Sequence, residues 1–145
     1  MTDKRKKTEV YAFPAVFTID SSDDNAVLVR FPDMDNCFAD GDTVGEALIE
    51  AREALGNVLY WMEKDGLEIP TPSDIRDIKP EDGSFVSLIE ANMPEVRKSW
   101  DTRSVSRTVT LPAWLDSKAK TAQVNFSQEL QKALLKLLKV NAKVA

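Results

Sequence analysis

The sequence predicts an α+β chain of two modules: a small antiparallel-rich sheet under one long helix, then a strand and two helices that pair with a second copy. Three observations carry this. Segments rich in aromatic and β-branched residues alternate with turn formers as far as Gly41, after which apolar residues recur at steps of three and four. The charge divides along the chain. Val105–Ala145 holds seven Lys/Arg and two acids, a net of +5, and the preceding 104 residues hold twelve and twenty-two, a net of −10. The rear segment has only one strand and two short helices, and a piece below about 40 residues cannot build a sufficient core alone.

Tyr11–Ile19 (YAFPAVFTI) reads as the first strand. Pro14 has no N–H to give a ladder, so it must lie at an edge, a bulge or the strand margin. Residues 20–25, DSSDDN, are turn formers, and Ala26–Phe31 returns as the second arm of an antiparallel hairpin, closed by Pro32. Cys37 and Phe38 predict a short third strand, followed by a turn at Asp40-Gly41-Asp42. Thr43, with Glu46 three residues later, has the spacing of a capping box and opens a helix. Its apolar stripe is Val44, Ala47, Leu48, Ala51, Leu55, Val58, Leu59 and Met62, and Gly66 supplies a left-handed stop after Asp65. Gly45 and Gly56 each cost the helix about 1 kcal/mol relative to alanine. Gly56 reads either as close packing against the sheet or as a tolerated surface glycine. Residues 68–84 hold three prolines and many acids and form an irregular connection, after which Phe85–Ala91 returns to the sheet. The first module is thus 1–91, and 92–104 is a linker with room for a short helix over Pro94–Ser99.

The second module is 105–145. Val105–Leu111 (VSRTVTL) is a strand, and Pro112 ends it and starts a helix. Trp114, Leu115, Ala119 and Ala122 have helical spacing, with Trp114 as a core plug. Asn125 opens a second helix with Gln128 at cap spacing, and its stripe is Leu130, Ala133, Leu134, Leu137 and Leu138. A lone strand cannot satisfy its ladder, so two copies pair strand to strand about a two-fold axis and four helices clasp the ribbon. Side chains alternate along a strand, which turns Ser106, Thr108 and Thr110 outward and Val105, Val109 and Leu111 toward the helices. An exposed ribbon of small polar residues fits the DNA major groove. Arg107 alternates inward but can snorkel toward a phosphate at the ribbon's end. The helix start around Asn125 and Ser127 presents unpaired N–H groups to a phosphate. The alternative is a dimerisation knot whose outward Ser/Thr only solvate the ribbon.

Histidine is absent, which removes Ser-His-Asp and Cys-His chemistry and His-ligated zinc. The single cysteine, Cys37, permits no internal disulfide, and it reads as a buried structural thiol. No apolar stretch is long enough for a transmembrane helix, and no apolar run follows the basic start MTDKRKK as a secretory signal requires. A cytoplasmic location is the expectation. The basic run Lys4–Lys7 reads as a solvated tail or a nonspecific phosphate contact.

Residues 10–73 resemble the N-terminal domain of HicB antitoxins, in the hairpin, FPDMDNCFADGDTVGEALIEAREAL, the long helix and DGLEIPTPS. SRTVTLPAWLDSKAKTAQVNFSQELQKALLKLL resembles the ribbon-helix-helix tail of one HicB subgroup. Two departures stand out: Asn36 replaces the glycine that usually precedes Cys37, and Ala122-Gln123 stands where a Glu-Gly turn is common. The resemblance implies a partial RNase H-like front module that masks a small basic toxin, HicA, an mRNA interferase. It also implies a ribbon-helix-helix tail that binds the operator of the toxin–antitoxin operon and represses it. An acidic module suits a basic partner.

Asp33, Asp35, Asp40 and Asp42 crowd the stretch before the long helix. They read as turn and cap carboxylates, as a surface for the toxin, or as ligands of a two-metal nuclease site. The expectation is a non-enzyme with no catalytic residue, metal or cofactor. It neutralises a HicA-like toxin and binds operator DNA through Ser106, Arg107, Thr108, Thr110, Asn125 and Ser127 as a homodimer or tetramer. The alternatives are a ribbon-helix-helix repressor with an effector-sensing front domain, and an RNase H-like enzyme.

Overall fold

The computed structural model describes residues 9–142, so the basic run Lys4–Lys7 and Lys143 lie outside the described residues. The chain divides into two compact units that meet between Ser99 and Trp100.

The front unit is a four-stranded antiparallel sheet in the order β3-β2-β1-β4, formed by β1 (Val10–Asp20), β2 (Ala26–Arg30), β3 (Phe38–Gly41) and β4 (Ser84–Asn92). The first strand is central, although it carries Pro14. The backbone shows why this works. Met93 N–H donates to Glu9 C=O at 2.7 Å and Ile19 N–H donates to Gly83 C=O at 3.3 Å, so odd-numbered residues of β1 bond toward β4. Pro14, at an even position, turns its missing N–H the other way. There the last pair with β2 is Val16 with Arg30, so the proline faces a stretch that β2 does not reach. The predicted edge is local: one side of one end of a central strand.

The hairpin turn places Asp24 and Asn25 at positive φ (46° and 60°), a conformation these residues tolerate better than most. Odd-numbered residues Phe13, Ala15, Phe17, Val27, Val29, Ile89 and Ala91 form the face that receives α1 (Val44–Lys64), through Ala47, Ala51, Leu55 and Leu59. Val44 and Leu48, read as part of the stripe, stay 38% exposed. At the start of α1, the Thr43 hydroxyl accepts Glu46 N–H at 3.1 Å. The Glu46 carboxylate reaches back to Asp42 N–H at 3.1 Å, one residue beyond the expected partner. At the end, Gly66 takes φ +69° and Leu67 N–H donates to Met62 C=O, a Schellman stop.

One reading is corrected. Asp40 and Gly41 are not a turn: both lie in β3, which pairs with β2 as far as Gly41 opposite Val27. A Cβ on Gly41 would come within 2.5 Å of Ala47 N, so a glycine lets the strand end approach the helix start. The stretch 92–104 contains the short helix the sequence has room for. It opens with α2 (Met93–Ser99), whose Met93 is fully buried, and α2 packs on α1. Gly56 is the contact: a Cβ there would meet Val96 Cγ2 at 2.9 Å, so it serves helix–helix packing and not the sheet.

The rear unit contains α3 (Ala113–Thr121) and α4 (Phe126–Leu138). Pro112 takes the N-cap position of α3. Gln123 adopts φ +56° after α3, and Val124 N–H donates to Ala119 C=O at 3.0 Å. The turn is thus a Schellman stop with glutamine in the left-handed place glycine usually takes. Residues 105–111 form no strand in the single chain. A strand exists only through a ladder, and among the described residues no segment pairs with this one along the backbone.

Candidate functional site

The four aspartates do not converge. Asp33 is tied to the connection beyond α1: its carboxylate accepts Ser73 N–H at 2.9 Å and also the Ser73 hydroxyl. Asp35 is exposed in the turn after β2. Asp40 lies in β3 opposite Leu28, on the sheet face away from α1, and Asp42 leads into the helix cap. Among the described residues no three of His, Cys, Asp and Glu could hold a metal ion together. The arrangement uses Asp33 as a loop clamp and leaves Asp40 on an open surface.

That surface has two halves. Even-numbered residues of β1 face away from α1, and of these Pro14 and Val16 are buried, with the 3-10 turn Ile75–Asp77 against β4. Over β2 and β3 the face is open: Leu28 is 48% exposed and Phe38 65%. Thr18, Leu28, Arg30 and Phe38 line a concavity of about 330 Å³ there. The sequence reading missed Phe38 and Leu28, although the alternation of AVLVRF already turns Leu28 to the polar side.

A second missed feature holds the unit together. Arg97 on α2 makes a two-pronged bond to Glu63 on α1, Nε–Oε2 at 2.9 Å and Nη2–Oε1 at 2.7 Å, and its Nη1 lies 3.6 Å from Glu9 Oε2 before β1. The hydrogen-bonded Glu63 raises the guanidinium above its ordinary pKa, against the opposing effect of burial. Cys37 is buried as expected, and burial pushes its thiol up to about 11.

In the rear unit, Ser106, Arg107, Thr108 and Thr110 are exposed on the extended segment. Asn125 caps α4, its side-chain oxygen accepting Gln128 N–H at 3.1 Å, and Ser127 is exposed in the first turn. Arg107 and Ser127 come together with Val109, Leu111, Phe126 and Leu130 around a concavity of about 270 Å³. No described residue from 100 to 142 is buried. Val109 is 56% exposed, Leu134 44% and Leu137 75%. Trp114, expected as a core plug, is 64% exposed in the single chain, because no second layer covers it. Just before the segment, Arg103 hydrogen-bonds Asp101 and holds its carboxyl down at about 2.

The sequence profile of the HicB-like antitoxins of bacterial toxin-antitoxin systems matches residues 13–134. A chain from a toxin–antitoxin complex of Streptococcus pneumoniae is 26% identical at a TM-score of 0.55, covering 88% of this chain and 98% of that one. The antitoxin HicB of Burkholderia pseudomallei shares the fold, at 21% identity and a TM-score of 0.52, over 88% of this chain and 98% of its own. A Haemophilus phage HP1 protein, described as an uncharacterized 14.9 kDa product of the rep-hol intergenic region, is 29% identical over 91 residues. Those residues are 61% of this chain, and the match spans only 65% of the phage protein's length. Fold and comparisons together define an antitoxin of a toxin–antitoxin system. The chain belongs to the HicB-like antitoxin family.

Proposed function

We propose that this antitoxin neutralises a basic, HicA-like mRNA interferase through its front unit and represses its own operon through a dimeric ribbon-helix-helix tail. The observation that carries the reading is the contrast between the units. The front unit closes a core in one chain; the rear unit buries none of its described residues and leaves an amphipathic helix pair and an unladdered segment uncovered. A second copy supplies both missing parts, by antiparallel pairing of residues 105–111 and by layering the apolar faces of α3 and α4. The paired ribbon then offers Ser106, Thr108 and Thr110 to base edges, with Arg107 and the start of α4 at Asn125 and Ser127 toward phosphates. The net +5 of Val105–Ala145 supplies the counterion-release part of the affinity. Higher assembly to a tetramer would pair half-sites.

The test is operator binding by the purified chain at several salt concentrations, beside neutralisation of the basic product of the neighbouring gene. Thr108→Ala with Thr110→Ala is expected to weaken operator binding at least tenfold and to leave neutralisation intact. The log–log salt slope should be about −0.9 per phosphate contacted. Equal loss of both activities, or a flat salt response, would overturn the modular reading.

A further inference from the structure

We propose that the open half of the sheet face, over β2 and β3, seats the basic toxin, with Phe38 and Leu28 as its apolar centre and Asp40 on its rim. The inference rests on the toxin-neutralising reading.

Phe38 stands opposite Arg30, and Asp40 opposite Leu28, so all four project from the same side, away from α1. Phe38, 65% exposed, and Leu28, 48% exposed, line one concavity together, while the other sheet face is covered by α1. The same sheet side buries Pro14 and Val16 in β1, which separates this patch from Leu88, 51% exposed on β4. The occupant follows from charge. The unit carrying this face has a strong acidic excess, and Asp40 adjoins its apolar centre, with Arg30 on the same side. A partner that presents an apolar side chain ringed by Lys or Arg is attracted over long range and excludes water at the centre. DNA is repelled by the same field, and a second copy of this unit carries the same sign of charge. The concavity at the opposite edge of the sheet, which holds Leu88, fits less well, because its carboxylate, Glu90, already lies 3.8 Å from Arg52.

The experiment measures binding of the full-length antitoxin to the basic product of the neighbouring gene by calorimetry, with operator binding as an internal control. Phe38→Ser is expected to weaken toxin binding at least fiftyfold and to leave operator binding unchanged. Asp40→Asn should weaken it about fivefold and reduce its salt dependence. Ile49→Ser, at an equally exposed apolar position on α1, should have no effect. Should Phe38→Ser fail to fold, amide exchange on the wild-type complex takes its place, with protection expected over residues 28–30 and 38–42. Wild-type binding with an undisturbed Phe38→Ser variant, or protection confined to other elements, overturns this surface and leaves the neutralising function standing. No binding by the wild type overturns both.

Discussion

At the scale of single residues, several side chains are set by neighbours far away in sequence. Arg97 and Glu63 are 34 positions apart, Asp33 and Ser73 are 40 apart, and no local pattern pairs them. Cys37 was legible, because a lone cysteine in an apolar strand start with no cation nearby reads as a buried thiol. Its environment gives a pH prediction. Burial disfavours the thiolate and raises the folded pKa to about 11, so the thiol's contribution to stability is complete below its unfolded pKa. It is lost as pH rises from about 9 toward about 11. Urea midpoints should fall over that window and fall less in Cys37→Ala. Alkylation by iodoacetamide at pH 8 should be slow in native protein and fast once it is unfolded.

At the scale of elements, the sequence reading was strongest where one segment carries its own signals. The capping residues, the stripe and Gly66 located α1 almost to the residue. It was weakest where an element's length depends on its neighbour. β3 runs to Gly41 because β2 offers partners that far, and turn chemistry at Asp40-Gly41-Asp42 concealed this. The two helical glycines separate for the same reason. Gly45 faces open space, its would-be Cβ no nearer than 3.9 Å to the Thr43 hydroxyl, whereas Gly56 abuts Val96. Gly45→Ala should stabilise the front unit by about 0.5 kcal/mol through helix propensity. Gly56→Ala should destabilise it by about 1–2 kcal/mol, the overpacking outweighing the propensity gain. Thermal or chemical denaturation of both variants checks the opposite signs.

At the scale of the whole molecule, the division into an acidic front and a basic rear was visible in the charge alone, and the boundary between the compact units lies within the stretch 92–104 read as the linker. It falls at Ser99–Trp100, after a helix whose buried Met93 and contact with α1 bind it to the front core. The rear segment reads as incomplete, and in the single chain residues 105–111 form no strand and no described residue from 100 to 142 is buried. Under the proposed function a second copy supplies the missing backbone partners. The unfolding midpoint of isolated residues 100–145 should therefore rise with protein concentration, while residues 1–99 should unfold at a midpoint independent of it. Calorimetry over a hundredfold range of concentration checks both.

The absence of buried residues between 100 and 142 bears on how a cell would experience a shortage of this antitoxin. A surface completed by self-association is subject to mass action; one completed within a chain is not. Under the proposed function, as copies per cell decline, tails dissociate while front units stay folded. The promoter is released before protection against the toxin runs out. Scarcity itself then triggers resupply, and the threshold for that early warning is set by the strength of the tail's pairing.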